Sequence, residues 1–315
     1  MSNTDIVVLR RGVHGRPIDA YADALRERLP DRTVELARTP TEERQLAGTA
    51  PVVTGLEMDE DLLGAATDLE LFACLYAGVG HLPLSAFEQR GVAVTNAAGV
   101  HGPNVAEYAV GAMLSFSAGL QQGWQRHERR EYRHFRTGEL QGSTVAVVGL
   151  GAIGEAVVDR LAPFGVDTVG VRYTPEKGGP TDEVYGFDRI HEACAGADYL
   201  VLACPLTDRT EGVVDRAVFE TLPPDAVLVN VARGPVVETD ALVEALRRNE
   251  VGGAVLDVTD PEPLPEDHPL WAFSNVLVTP HNAGDTPRYY ERVADVLAEN
   301  VDRLDSSEQL RNRAV

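Results

Sequence analysis

The sequence predicts an α/β protein made of two doubly wound parallel-sheet domains. Short apolar runs alternate with amphipathic helical patterns along nearly all of its 315 residues, the pattern of strands joined by helical crossovers. One run, Thr144-Val145-Ala146-Val147-Val148, leads into Gly149-Leu150-Gly151-Ala152-Ile153-Gly154 and then into a helical pattern. Strand, glycine turn and helix in that order are what a dinucleotide-binding βαβ unit requires. A structural βα turn is the plainer alternative. Gly149 would permit the tight turn, Gly151 would let backbone approach a pyrophosphate, and Gly154 would let helix and strand pack closely. The helix start would offer free N–H groups and a positive dipole end to phosphate.

In chain order, residues 6–9 read as a strand, 17–29 as a helix, 51–53 as a strand and 59–63 as a helix. Residues 69–75 follow as a strand, 84–90 as a helix and 92–95 as a strand. These make a first, smaller wound domain. Residues 104–130 read as one long helix, with Pro103 in its first turn. Val105, Tyr108, Ala109, Ala112, Met113 and Phe116 share a face of it that suits a core or a subunit interface. Beyond the glycine turn, strands are expected at 168–171, 199–203, 226–231, 253–256 and 276–278, and helices at 188–194, 215–221 and 239–249. A last amphipathic helix at 287–304 should return to the first domain. The expected division is therefore 1–99 with 285–315, and 100–284.

Composition limits the function classes. Apolar residues make up 44% of the chain, enough for a substantial core, and the apolar run at 6–9 is too short for a signal sequence or membrane span. A cytoplasmic location is the default. Cys74, Cys194 and Cys204 show no metal-ligand spacing and read as buried structural thiols, and no metal site is expected. The formal net charge is −21, and Lys177 is the only lysine among 28 basic residues. Such a chain should repel nucleic acid and anionic membranes. A generic acidic protein is one reading; the expected one is a halophilic protein that works in a cytoplasm of concentrated salt. At about 1 M salt the Debye length is ~3 Å, so surface carboxylates stop repelling one another.

Three polar residues follow apolar runs of the second half, where an open parallel sheet places its ligand crevice. Arg233 stands in Val229-Asn230-Val231-Ala232-Arg233-Gly234, Glu262 in Asp260-Pro261-Glu262-Pro263, and His281 in Thr279-Pro280-His281-Asn282-Ala283-Gly284. Singly, they read as a surface arginine, a solvated loop charge and a hydrogen-bonded structural histidine. Downstream of a nucleotide fingerprint, they can supply a carboxylate clamp, a general acid/base and the carboxylate that orients it.

The strings GLGAIG, NVARG, LDVTDPEPLPEDHPLW and TPHNAG, in this order and spacing, resemble the D-isomer-specific 2-hydroxyacid dehydrogenases. Tyr76-Ala77-Gly78-Val79-Gly80 and Val94-Thr95-Asn96-Ala97-Ala98-Gly99-Val100 extend the resemblance to nearly the whole chain. It implies a Rossmann cofactor domain and a smaller flavodoxin-like substrate domain, separated by a cleft that closes. It implies that Arg233 binds the carboxylate and carbonyl oxygen of a 2-keto acid, and that His281 exchanges a proton with that oxygen. Glu262 would hold the imidazole and favour its protonated form, while backbone N–H groups of Gly78 and Val79 complete the carboxylate site. Asp257 would bind the nicotinamide carboxamide. Leu150, Ala152, Ile153, Tyr173, Cys204, Pro205, Thr210, Val231, Ala232 and Ala283 would line the cofactor, and family habit implies a homodimer.

An NAD-selecting fingerprint carries an acid about 20 residues on. Here the strand ends in Arg172-Tyr173-Thr174. An arginine cannot accept a bond from a ribose hydroxyl but can pair with a 2′-phosphate. NADP(H) is thus the expected cofactor, with Arg172 as main determinant and Thr174 as a second donor. The alternative is that Arg172 stacks on adenine while NAD(H) is used. The expected activity is reduction of small 2-keto acids to D-2-hydroxy acids, reversibly. A glyoxylate or hydroxypyruvate reductase fits the NADP-type turn, and a dehydrogenase-like NAD(P)-sensing corepressor is the alternative from another class. Formate dehydrogenases usually have Gln where Glu262 stands, and phosphoglycerate dehydrogenases usually carry further regulatory sequence.

Overall fold

The computed structural model describes residues 4–315, which divide into two compact units. One runs through His101 and resumes with Asp285–Val315; the other is Gly102–Gly284.

The first unit contains β1 (Ile6–Val8), α1 (Ile18–Arg28), β2 (Val34–Leu36), α2 (Pro40–Ala47) and β3 (Val52–Gly55). It continues with α3 (Glu60–Ala65), β4 (Leu71–Cys74), α4 (Leu84–Gln89), β5 (Ala93–Thr95) and the chain's last helix, α11 (Tyr289–Asp305). Its five strands are parallel in the order β2-β1-β3-β4-β5, the flavodoxin-like winding. Both faces are covered, so β3 and β4 are buried along their full length. Alternation sends Ile6 and Val8 into a core beneath α1 and α11, and Val7 into a second core with Leu63 and Phe87. Thr39 and Asp59 cap α2 and α3 through the amides of Glu42 and Leu62.

The second unit contains α5 (Gly102–Ser117), α6 (Leu120–Glu128), β6 (Thr144–Val148), α7 (Ala152–Leu161) and β7 (Asp167–Val171). Then come β8 (Glu183–Tyr185), α8 (Ile190–Cys194), β9 (Tyr199–Leu202), α9 (Arg216–Thr221), β10 (Val227–Asn230), α10 (Thr239–Arg248), β11 (Gly253–Leu256) and β12 (Val276–Val278). Seven parallel strands in the order β12-β11-β10-β9-β6-β7-β8 form a Rossmann sheet whose winding reverses between β6 and β9. No helix among the described residues is long and apolar enough to cross a membrane.

The structure corrects some element boundaries. The helix expected over residues 104–130 is two helices, because Gly119 adopts φ +63°. A Cβ on Gly119 would lie 2.7 Å from the Phe135 ring, so the glycine admits the returning chain. Residues 187–189 form a 3₁₀ turn before α8. The short edge strands β2 and β8, and α2, were not anticipated from the sequence. The two strands are only partly buried and lack a continuous apolar run.

Candidate active site

The switch point carries the glycine turn. Gly149 has φ +102°, and a Cβ there would sit 2.5 Å from the Cys204 nitrogen after β9, so both conformation and crowding demand glycine. A Cβ on Gly154 would lie 1.9 Å from the Gly149 carbonyl oxygen, which lets α7 press against the turn. Gly151 differs: nothing lies within 4 Å of its missing Cβ. It starts α7, and no side chain caps that helix. Open backbone, unclaimed first-turn amides and the dipole end fit a dinucleotide pyrophosphate. Leu150 turns into the core above Gly170 of β7, while Ala152 and Ile153 begin the helix. Cys204 is buried, and burial pushes its thiol up to about 11, so it acts there as an inert apolar wall.

Arg172, Tyr173 and Thr174 follow β7. Arg172 Nη1 donates to the Gly178 carbonyl at 2.5 Å, fixing one edge of the guanidinium and leaving its other N–H groups available. The Thr174 hydroxyl does not cap the short turn that follows it. After β9, Thr210 is buried and pins its loop, donating to the Pro205 carbonyl at 2.6 Å and accepting from the Thr207 amide at 2.8 Å.

The polar candidates stand on neighbouring strands. Asn230, Leu256 and Val278 lie in one row across β10, β11 and β12, and Arg233, Asp257, Glu262 and His281 follow those strand ends. Val231 and Ala232 are buried at the end of β10, while Arg233 is exposed. Arg233 is presented by a turn that Asn230 braces: its side chain accepts from the Ala232 amide at 3.0 Å and donates to the Arg233 carbonyl at 3.1 Å. Gly234 then passes so close to the next loop that a Cβ would lie 1.9 Å from the Thr259 oxygen. The Arg233 turn therefore abuts the segment leading to Glu262.

His281 Nδ1 is 2.8 Å from Glu262 Oε1, with both side chains about half exposed. This clasp leaves Nε2 as the nitrogen free to meet a ligand. A cavity of about 530 Å³ adjoins the pair, walled by Leu264, Trp271, Val278 and Pro280. Asp257 is 2% exposed and has a structural task. Its carboxylate accepts from Thr279 Oγ1 (2.7 Å) and from the amides of Asn282 (2.8 Å) and Ala283 (2.9 Å), so it ties down the loop bearing His281. Oδ1 takes the bonds from Thr279 and Asn282 and Oδ2 only that from Ala283, so Oδ2 keeps a lone pair with capacity for a carboxamide donor. Thr279 in turn meets the Tyr108 hydroxyl at 2.5 Å. Burial pushes the Tyr108 phenol upward, with nearby Asp257 adding to the effect, so it stays an O–H donor. Sequence reasoning placed Tyr108 only on an apolar helix face and overlooked Thr279 and Asn230. Thr279 and Tyr108 give no signal until their distant partners are known, whereas the partners of Asn230 lie only two and three residues on.

In the first unit, Gly78 and Val79 follow β4. Gly78 is exposed with open space at its missing Cβ. Leu56 and Tyr76, candidates for a substrate side-chain pocket, pack partly buried against that unit's cores.

The family description "D-isomer specific 2-hydroxyacid dehydrogenase, NAD binding domain" matches residues 110–283. Over 270 residues the chain is 33% identical to glyoxylate reductase/hydroxypyruvate reductase of Homo sapiens, covering 82% of each protein. It is 33% identical to glyoxylate reductase of Thermofilum pendens over 255 residues, 78% of this chain and 74% of that one. The crystal structure of a D-isomer specific 2-hydroxyacid dehydrogenase from Xanthobacter autotrophicus in complex with NADPH and MES aligns with a TM-score of 0.79. That match is 27% identical and covers 99% of this chain and 98% of that one. With this fold and glycine turn, the chain belongs to the D-isomer specific 2-hydroxyacid dehydrogenase family and is an NAD(P)-dependent dehydrogenase.

Proposed function

We propose that the protein reduces small 2-keto acids, glyoxylate and hydroxypyruvate among them, to D-2-hydroxy acids with NADPH, reversibly. The observation that carries this reading is the His281–Glu262 clasp at 2.8 Å, beside a cavity and one strand away from the turn bearing Arg233. Arg233 offers a permanently charged fork to the substrate carboxylate and carbonyl oxygen, and the N–H groups of Gly78 and Val79 serve as further carboxylate donors. His281, held through Nδ1, delivers a proton from Nε2 to the carbonyl oxygen and removes it in the reverse direction. Glu262 keeps the ring oriented and balances its positive charge. NADPH, when bound, supplies the hydride. The glycine turn and the start of α7 hold its pyrophosphate, Arg172 and Thr174 its 2′-phosphate, and Asp257 its carboxamide, with Val231, Ala232 and Ala283 alongside. Glyoxylate and hydroxypyruvate enter the reading because the relatives from Homo sapiens and Thermofilum pendens bear those names.

The same proposal includes a salt-rich cytoplasm, supported by the net charge of −21, and a homodimer. The exposed Leu120 and Trp124 of α6 support self-association.

The test is NADPH oxidation with a panel of 2-keto acids in molar KCl, followed by chiral analysis of the product. His281→Ala should cut kcat by about 10²–10⁴ while NADPH binding persists. Arg172→Asp should reverse the ratio of kcat/KM for NADPH over NADH. An L-product, or an NADH preference that the Arg172 change leaves untouched, overturns the corresponding part. NADPH binding without turnover of any substrate favours a sensor.

A further inference from the structure

We infer that Arg209 is the second arm of the anion site at the adenosine end of the crevice, closing on the 2′-phosphate of NADP(H) together with Arg172. This deepens the cofactor reading above and rests on it. Arg209 lies in the loop after β9, and its guanidinium carbon stands 4.8 Å from the centroid of the Tyr173 ring and 5.8 Å from that of Phe187. Tyr173 directly follows Arg172 at the end of β7. Because β9 and β7 flank β6, the two arginine-bearing loops meet beside the glycine turn at the point where the sheet reverses.

Both arms are held at the base. Thr210 pins the loop of Arg209 through the Pro205 carbonyl and the Thr207 amide, and Arg172 is anchored on the Gly178 carbonyl. Neither arginine forms an ion pair among the described residues, whereas Arg189, Arg216 and Arg248 all do. Other arginines also lack carboxylate partners, but these two stand on adjoining loops at the switch point, linked through Tyr173, and so put two positive charges where an external anion can meet both. Tyr173 is 71% exposed, so its ring holds Arg209 by a weak, solvated cation–π contact. A charge-assisted bond to a phosphate outcompetes such a contact.

The test titrates the full chain in 1 M KCl with NADPH, NADH and adenosine 2′-phosphate, for the native protein and for Arg209→Ala, Arg209→Gln and Arg209→Lys. Circular dichroism checks each fold. Loss of the phosphate arm should raise the Kd for NADPH and adenosine 2′-phosphate about tenfold in the Ala and Gln variants and less in Lys, while NADH shifts by less than about twofold. Equal weakening of NADPH and NADH would make Arg209 a loop-packing residue and overturn the inference, as would no change in either. If the native chain prefers NADPH through Arg172 and Arg209→Ala is silent, the role of Arg209 alone fails. If the native chain prefers NADH and Arg172→Asp changes nothing, the cofactor reading itself fails.

Discussion

Thr279 joins a buried carboxylate to a partly buried phenol: its hydroxyl donates to Asp257 and meets the Tyr108 hydroxyl. Thr279→Val keeps the shape and removes both bonds, leaving a buried carboxylate oxygen one donor short and a phenol without its partner. The expected cost is about 1–3 kcal/mol of stability, measured by urea unfolding in molar KCl. Because Asp257 ties down the His281 loop, kcat should fall as well. A variant as stable and active as the parent would show that the Tyr108–Thr279–Asp257 chain is incidental. The residues this chain supports were legible in the sequence: Arg233, Glu262 and His281 each follow an apolar run within a recognisable string. The support itself was not. Asp257 reaches amides 25 and 26 residues away, and Tyr108 meets a hydroxyl 171 residues away, separations that no local pattern encodes.

Among the elements, the glycine turn allows two substitutions of the same size to be told apart. Gly149→Ala forces a Cβ to 2.5 Å from the Cys204 nitrogen at φ +102°, which predicts a loss of several kcal/mol. Gly151→Ala meets nothing within 4 Å at φ −104°, so it should cost at most about 1 kcal/mol. Its methyl group instead occupies the space above the first turn of α7, and the Kd for NADPH and NADH alike should rise at least about tenfold. Thermal unfolding with fluorescence titration separates the two outcomes. Equal stability of the two variants would refute the assigned division of labour. Strands buried on both faces, such as β9 and β10, were readable as continuous apolar runs. The edge strands β2 and β8 have only one neighbour, bury less and leave no such run. The break between α5 and α6 was hidden because Gly119 within a helical pattern is tolerable until Phe135 folds back against it.

At the scale of the whole chain, two electrostatic effects predict opposite responses to salt. The ion pairs that join segments distant in sequence, such as Arg28–Asp295, Arg32–Asp305 and Arg216–Glu244, are partly exposed and weaken as salt screens them. The excess of 49 acidic over 28 basic residues is a net repulsion that salt relieves. Each exposed pair contributes at most about 1 kcal/mol, whereas the repulsion is summed over a charge of −21, so relief should win. The melting temperature should therefore rise steadily between 0.1 and 2 M KCl, most steeply where the Debye length falls from ~10 Å toward ~3 Å. Sucrose adjusted to the same osmolality controls for exclusion effects that do not depend on charge. A melting temperature that falls with KCl, or rises equally in sucrose, would refute charge relief as the cause and remove the support for a salt-rich setting.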